Sequence, residues 1–155
     1  MKIGFCGTMS VGKTTLVNAL KELPEFKDYK FATERSEYLR DLGIPLNTDS
    51  TLKGQLIFLA ERTSELLQEN IITDRTIVDV IAFTKSAKSI SWTQGKQFEK
   101  LAKDLINDYD FLFYVSPEGV KLEDNGIRTI DKEYRKEIDK SIKGIIGDKL
   151  GKHPK

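Results

Sequence analysis

Met1-Lys2-Ile3-Gly4-Phe5-Cys6-Gly7-Thr8-Met9-Ser10-Val11-Gly12-Lys13-Thr14-Thr15-Leu16-Val17-Asn18-Ala19-Leu20 opens the chain, and its reading decides the fold. Met1 to Cys6 reads as a short buried strand, and Leu16 to Leu20 continues as a helix. Between them Gly7, Gly12, Lys13 and Thr14 fit G-x-x-x-x-G-K-[ST], the phosphate-binding loop, in the strand–loop–helix setting this motif requires. Glycine at positions 7 and 12 lets the backbone turn tightly and approach a ligand with no Cβ in the way. The N–H groups of the loop then point inward, and the helix that follows adds about half a positive charge at its N-terminus. Lys13 is expected to meet the β- and γ-phosphates of ATP, and the Thr14 hydroxyl to hold Mg²⁺. The expected nucleotide cradle is Gly7, Thr8, Met9, Ser10, Val11, Gly12, Lys13, Thr14 and Thr15.

Working outward, Leu23-Pro24 stops the first helix, and Tyr29 to Thr33 reads as a second strand. Glu37 to Leu42 reads as a short helix closed by Gly43. A long helix is predicted from about Ser50 to Asn70, with Leu52, Leu56, Leu59, Ala60, Thr63, Leu66 and Leu67 as its buried stripe. Ile71 to Asp74 is a third strand, and Ile77 to Phe83 returns to helix. Lys85 to Gly95 reads as a mobile surface connection in which Trp92 is a packing anchor. Phe98, Leu101, Ala102, Leu105 and Ile106 mark another amphipathic helix. The apolar run Phe111 to Val115 is expected to be a strand covered on both faces. Tyr134, Ile138, Ile142, Ile145 and Ile146 keep helical spacing from about Asp131 to Ile146, and the tail from Gly147 to Lys155 is expected to fray.

Strands alternating with helices predict an α/β, three-layer P-loop NTPase fold, with a parallel sheet of four to five strands covered by helices on both faces. At 155 residues, one domain with a lid segment at about 116–135 is expected. Ligands bind such sheets at the C-terminal strand ends. Gly7 to Thr14, Glu34-Arg35, Asp74-Arg75 and Ser116 to Arg135 all follow strand ends. A formal net charge of +1 gives no footprint for nucleic acid. Cys6, the one cysteine, excludes a disulfide framework and reads as a small buried hydrophobe. The N-terminus starts straight into the strand, and no apolar run approaches the roughly 20 residues that span a bilayer. A cytoplasmic, soluble protein without membrane or nucleic-acid partners is expected, and a homodimer is compatible with it.

The groups around the loop suggest their chemistry. Asp74 is placed to complete the Mg²⁺ shell opposite Thr14. Arg75 either binds a substrate phosphate or pairs with Glu34, and Asp79 stands one helical turn on as a salt-bridge partner for Arg75. Glu34 is either a general base toward an acceptor hydroxyl or a pocket-shaping partner of Arg35, Arg40 or Arg75. Arg128 and Arg135, about two turns apart, are read as lid arginines that stabilise charge on the transferred phosphoryl group.

With these motifs the chain resembles the P-loop nucleoside and nucleotide kinases, and within them the ribosylnicotinamide-kinase-like ATPase group of bacterial NAD regulators and phage proteins. The P-loop, Asp74-Arg75-Thr76 and the lid Asp124-Asn125-Gly126-Ile127-Arg128 carry the resemblance, which runs over roughly Lys2 to Ile146. It implies ATP and Mg²⁺, phosphoryl transfer to a small nucleoside or (deoxy)nucleoside monophosphate, and lid arginines at Arg128 and Arg135. Glu34-Arg35 is similar to the second-strand Glu of deoxynucleoside kinases, and Asp74-Arg75-Thr76 to their acidic-Arg-Ser signature. The chain departs from the pattern in lacking a recognisable final strand and base-contacting loop. Arg35, Arg40 and Arg62 between the second and third strands lean the acceptor toward a nucleotide. The alternative is a partner-regulated P-loop ATPase without a small acceptor. The length argues against an AAA-type motor, and no Asn-Lys-x-Asp guanine motif is present.

Overall fold

Strand β1 (Lys2–Cys6) lies inside a parallel sheet in a computed structural model that describes residues 1–9, 11–33, 41–45, 49–119 and 132–150. Strands β2 (Lys30–Ala32), β3 (Ile71–Thr73) and β4 (Phe111–Tyr114) complete it in the order β2-β3-β1-β4. Ile3 stands beside Ile72 on one side and Phe111 on the other, and Cys6 beside Tyr114. The crossovers between these parallel strands carry helices α1 (Lys13–Leu20), α2 (Leu52–Glu65), α3 (Ile77–Ser86) and α4 (Trp92–Lys103), and helix α5 (Lys132–Leu150) follows β4. The two sides of β1 face different cores. Ile3 and Phe5 pack with Val17 of α1 and Ile72, whereas Cys6 joins the larger core built by α2 to α5. Helix α3 is at the centre of that core, with Ile77, Val78, Val80, Ile81 and Ala82 all buried. Apolar side chains all round its surface suit a helix packed against α2, α4 and α5.

Local chemistry sets where the helices begin. Thr51 caps α2 by accepting from Gly54 N, while Thr76 with Asp79 and Ser91 with Gln94 form capping boxes on α3 and α4. Helix α1 differs: it begins on Gly12 at φ 89° with no side-chain cap.

Several sequence expectations are corrected. Helix α2 ends at Glu65, not near Asn70, and its buried face runs Gln55, Leu59, Arg62, Leu66. Leu56, Ala60 and Leu67 of the predicted stripe are exposed, because i, i+4, i+7, i+11 from Gln55 selects a face that is half polar. The Lys85–Gly95 connection shrinks to five residues between α3 and α4. Within it Ala87 and Ile90 are buried, and the Ser89 hydroxyl donates to Ser50 O at 2.8 Å. Trp92 is 78% exposed, with the Lys96 ammonium over its ring at 5.7 Å. It sits about a third of a turn from Phe98, which with Ala102 fixes the buried side of α4, where Leu101 too is exposed.

Among the described residues strand β4 is an edge, and its apolar run is not covered on both faces. Phe111 and Phe113 are each 47% exposed on the α1 side. There they stack on each other and border an apolar groove of about 440 Å³ shared with Leu16, Leu20 and Phe26. α1 is the only α-helix on that side among the described residues, which leaves the outer half of the strand open. The short helix expected at 37–42 falls largely, and the residues from 151 onward wholly, outside the described residues; α5 itself continues to Leu150. No helix among the described residues is long and apolar enough to cross a membrane.

Candidate active site at the strand ends

The C-terminal ends of β1 and β3 lie side by side, and this adjacency brings the loop and Asp74 together. Thr14, in the first turn of α1, donates its hydroxyl to Asp74 Oδ2 at 2.6 Å. Asp74 follows β3 directly and is 1% exposed. The pair sets two hard oxygen donors at one point beside the uncapped start of α1. A hydroxyl and a carboxylate there are the donor set an Mg²⁺ ion takes alongside nucleotide phosphates, so the residues present fit that ion.

Lys13 is nearly as buried, at 6%. Its ammonium donates to the Gly7 carbonyl and, at 3.3 Å, to the Thr8 carbonyl, and it lies 3.5 Å from Asp79 Oδ1. All three are acceptors, so the lysine is folded back into the loop it is expected to serve. Thr8, Met9 and Val11 are buried, whereas Gly12 and Thr15 are exposed. Gly7 is required by close approach: a Cβ there would sit 2.7 Å from the carbonyl oxygen of Val115, just past β4. Gly7→Ala is expected to destabilise the chain by about 1–3 kcal/mol through this backbone clash, read as a lowered melting temperature.

Helix α5 closes on the loop from the other side. The Thr8 hydroxyl donates to Arg135 O at 3.0 Å, and Arg135 Nε donates to Met9 O at 3.1 Å. Arg135 therefore stands at the loop. Arg75 packs its guanidinium over the Phe83 ring at 5.1 Å and is 9% exposed. Glu34, Arg35, Arg40, Ser10 and Arg128 lie outside the described residues. Arg62, expected among the cations for an acceptor phosphate, is instead 2% exposed and paired with Glu65 at 2.7 Å and Glu61 at 3.6 Å. Burial pushes the Glu65 carboxyl up to about 7; Arg62 opposes this, and the charges of Glu61 and Asp74 add to it. The Cys6 thiol is likewise pushed far up, first by burial and then by Asp79, which keeps it protonated and inert.

Asp79 is the group that sequence reasoning placed wrongly. Rather than pairing with Arg75, it accepts from Gly7 N at 3.0 Å and from the N and hydroxyl of Thr76 at 2.7 and 2.8 Å. The signal was present in Thr76-Ile77-Val78-Asp79, which fits the [ST]-x-x-[DE] capping pattern.

Residues 2–148 match the family described as an AAA domain. No curated protein matches. Among solved structures, deoxyadenosine kinase from M. mycoides with bound dCTP is similar at a TM-score of 0.67 and 21% identity, over 99% of this chain and 87% of that one. The same enzyme with the products dCMP and dCDP gives 0.64 and 23%, over 97% and 85%. NadR in complex with NAD and AMP-PNP gives 0.67 and 16%, over 96% of this chain and 41% of that one. The fold is that of the P-loop kinases.

Proposed function

This chain belongs to the AAA domain family, and from that membership and the site geometry we propose that it transfers the γ-phosphoryl group of ATP to a nucleoside or (deoxy)nucleoside monophosphate. The observation that carries the reading is the Thr14–Asp74 contact of 2.6 Å beside the buried Lys13. Bound Mg·ATP supplies the electrophilic phosphorus and a divalent charge that neutralises the β- and γ-oxygens.

The chain's own groups do the rest. The N–H groups opening α1 bind phosphate oxygens. Lys13 exchanges the Gly7 and Thr8 carbonyls for those oxygens, which are stronger acceptors because they are charged. Thr14 turns its proton away from Asp74, so that both oxygens are offered to the cation. Arg135, already against Met9 O, and Arg75 and Arg128 are assigned the charge that spreads over the transferred group. Glu34, two residues past β2, is assigned the proton of an acceptor hydroxyl.

The testing experiment measures ATP consumption with Mg²⁺ against each nucleoside, deoxynucleoside and monophosphate, nicotinamide riboside, and a control without acceptor. ADP formation that depends on one class of acceptor is the expected result. Equal hydrolysis in every reaction overturns the reading in favour of a partner-regulated ATPase.

A further inference from the structure

None of the roles above uses Asp79, yet it is completely buried and touches both halves of the site. Oδ2 accepts from the N and hydroxyl of Thr76, as a capping box requires. Oδ1 is not needed by the helix. It reaches instead to Gly7 N at 3.0 Å, across 72 positions of sequence, and faces the Lys13 ammonium at 3.5 Å. Every one of these four neighbours is a donor. A carboxylate accepts from all four, whereas an asparagine presents an NH₂ group either to Thr76 or to Gly7 and Lys13. The residue type is thus dictated by the donor count.

The link has a geometric consequence. Gly7 opens the loop that ends in Lys13 and Thr14, and Thr76 stands two residues past Asp74. Asp79 therefore ties together, from behind, the two segments whose front ends meet at the Thr14–Asp74 contact. We propose that Asp79 is a positioning residue for nucleotide and metal binding: it sets the spacing between the loop and the Asp74 turn, and holds Lys13 inside the loop until phosphate oxygens replace its present acceptors. This inference rests on reading the loop as the Mg·ATP site.

The test titrates the full chain with a fluorescent N-methylanthraniloyl ATP, with Mg²⁺ and with EDTA, beside a thermal melt. Asp79→Asn is expected to raise the Kd with Mg²⁺ at least ten-fold and to lose most of the tightening that Mg²⁺ gives the wild type. Thr76→Ala, which frees Oδ2 from the hydroxyl, moves the Kd in the same direction by less, and Thr76→Ser restores it. Ile138→Val in the core of α5 lowers the melting temperature and leaves the Kd and its Mg²⁺ response in place. Wild-type binding and Mg²⁺ response in Asp79→Asn overturn the positioning role. If that variant does not fold, equal Kd values for Thr76→Ala and Thr76→Ser overturn it. Absence of binding by the wild type overturns the nucleotide-site reading itself.

Discussion

Lys13→Ala is expected to lower acceptor-dependent ATP turnover by about 10³-fold or more, since it removes a preorganised cation from the place where phosphate charge develops. The lysine starts from an unusual position for so mobile a side chain. It is 6% exposed and donates to loop carbonyls and toward Asp79, so its charge is already desolvated and aimed at acceptors within the loop. Exchange of those acceptors for phosphate oxygens therefore needs little rearrangement and no new burial. The same placement gives the lysine a part in stability. Its loss leaves Asp79 with three donors, Gly7 N and the two of Thr76, and this residual set keeps the cost to about 1–3 kcal/mol. Lys13→Met retains the aliphatic stem and separates the two effects: it should melt closer to the wild type than Lys13→Ala, with turnover equally low. Steady-state kinetics and a thermal melt of both variants are the check. Substantial turnover in either one overturns the phosphate role of Lys13.

The loop was legible because its chemistry is local. Gly7, Gly12, Lys13 and Thr14 are a few residues apart, so their spacing alone spells the motif, even though Gly7 is also required by the distant Val115 carbonyl. The parallel sheet was legible for a related reason, since short apolar strands alternated with helical periods. What failed depended on tertiary context. Phe111 and Phe113 belong to a run that reads the same whether a second layer covers the strand or not, and only the order β2-β3-β1-β4 reveals an edge. In α2 the leucines at 56 and 67 drew the predicted stripe, while Gln55 and Arg62 lie on the buried side. Hydrophobic period alone cannot find a buried face that carries a charge, because an ion pair such as Arg62–Glu65 is what makes that burial tolerable. Asp79 was misplaced in part for the same reason: its capping box with Thr76 is local and fits a sequence pattern, but the Gly7 N–H that meets its other oxygen comes from 72 positions away.

Asp74→Asn is expected to reduce kcat by about 10²–10³-fold, the scale of losing one electrostatic contribution to a developing charge. The asparagine carbonyl still accepts the Thr14 hydroxyl at the 2.6 Å position, so the loop and β3 stay in register and the loss falls on the metal. The Mg²⁺ concentration for half-maximal rate should rise, whereas affinity for ATP in EDTA should hold or improve, because a buried carboxylate beside the phosphates repels them. A second readout needs no nucleotide. Asp74 is one of the charges that help raise the Glu65 carboxyl, after burial and alongside Glu61, from an ordinary 4.5 to about 7. Between those values the native chain holds a proton that the unfolded chain has released, so this group's contribution to stability falls as pH rises from about 4.5 to about 7. Removing the Asp74 charge lowers the native value and narrows that window from its upper end. Denaturant titrations across pH 4 to 8 should therefore show a shallower decline in Asp74→Asn than in the wild type. An unchanged Mg²⁺ requirement would remove Asp74 from the metal shell, and an unchanged pH profile would uncouple it from Glu65.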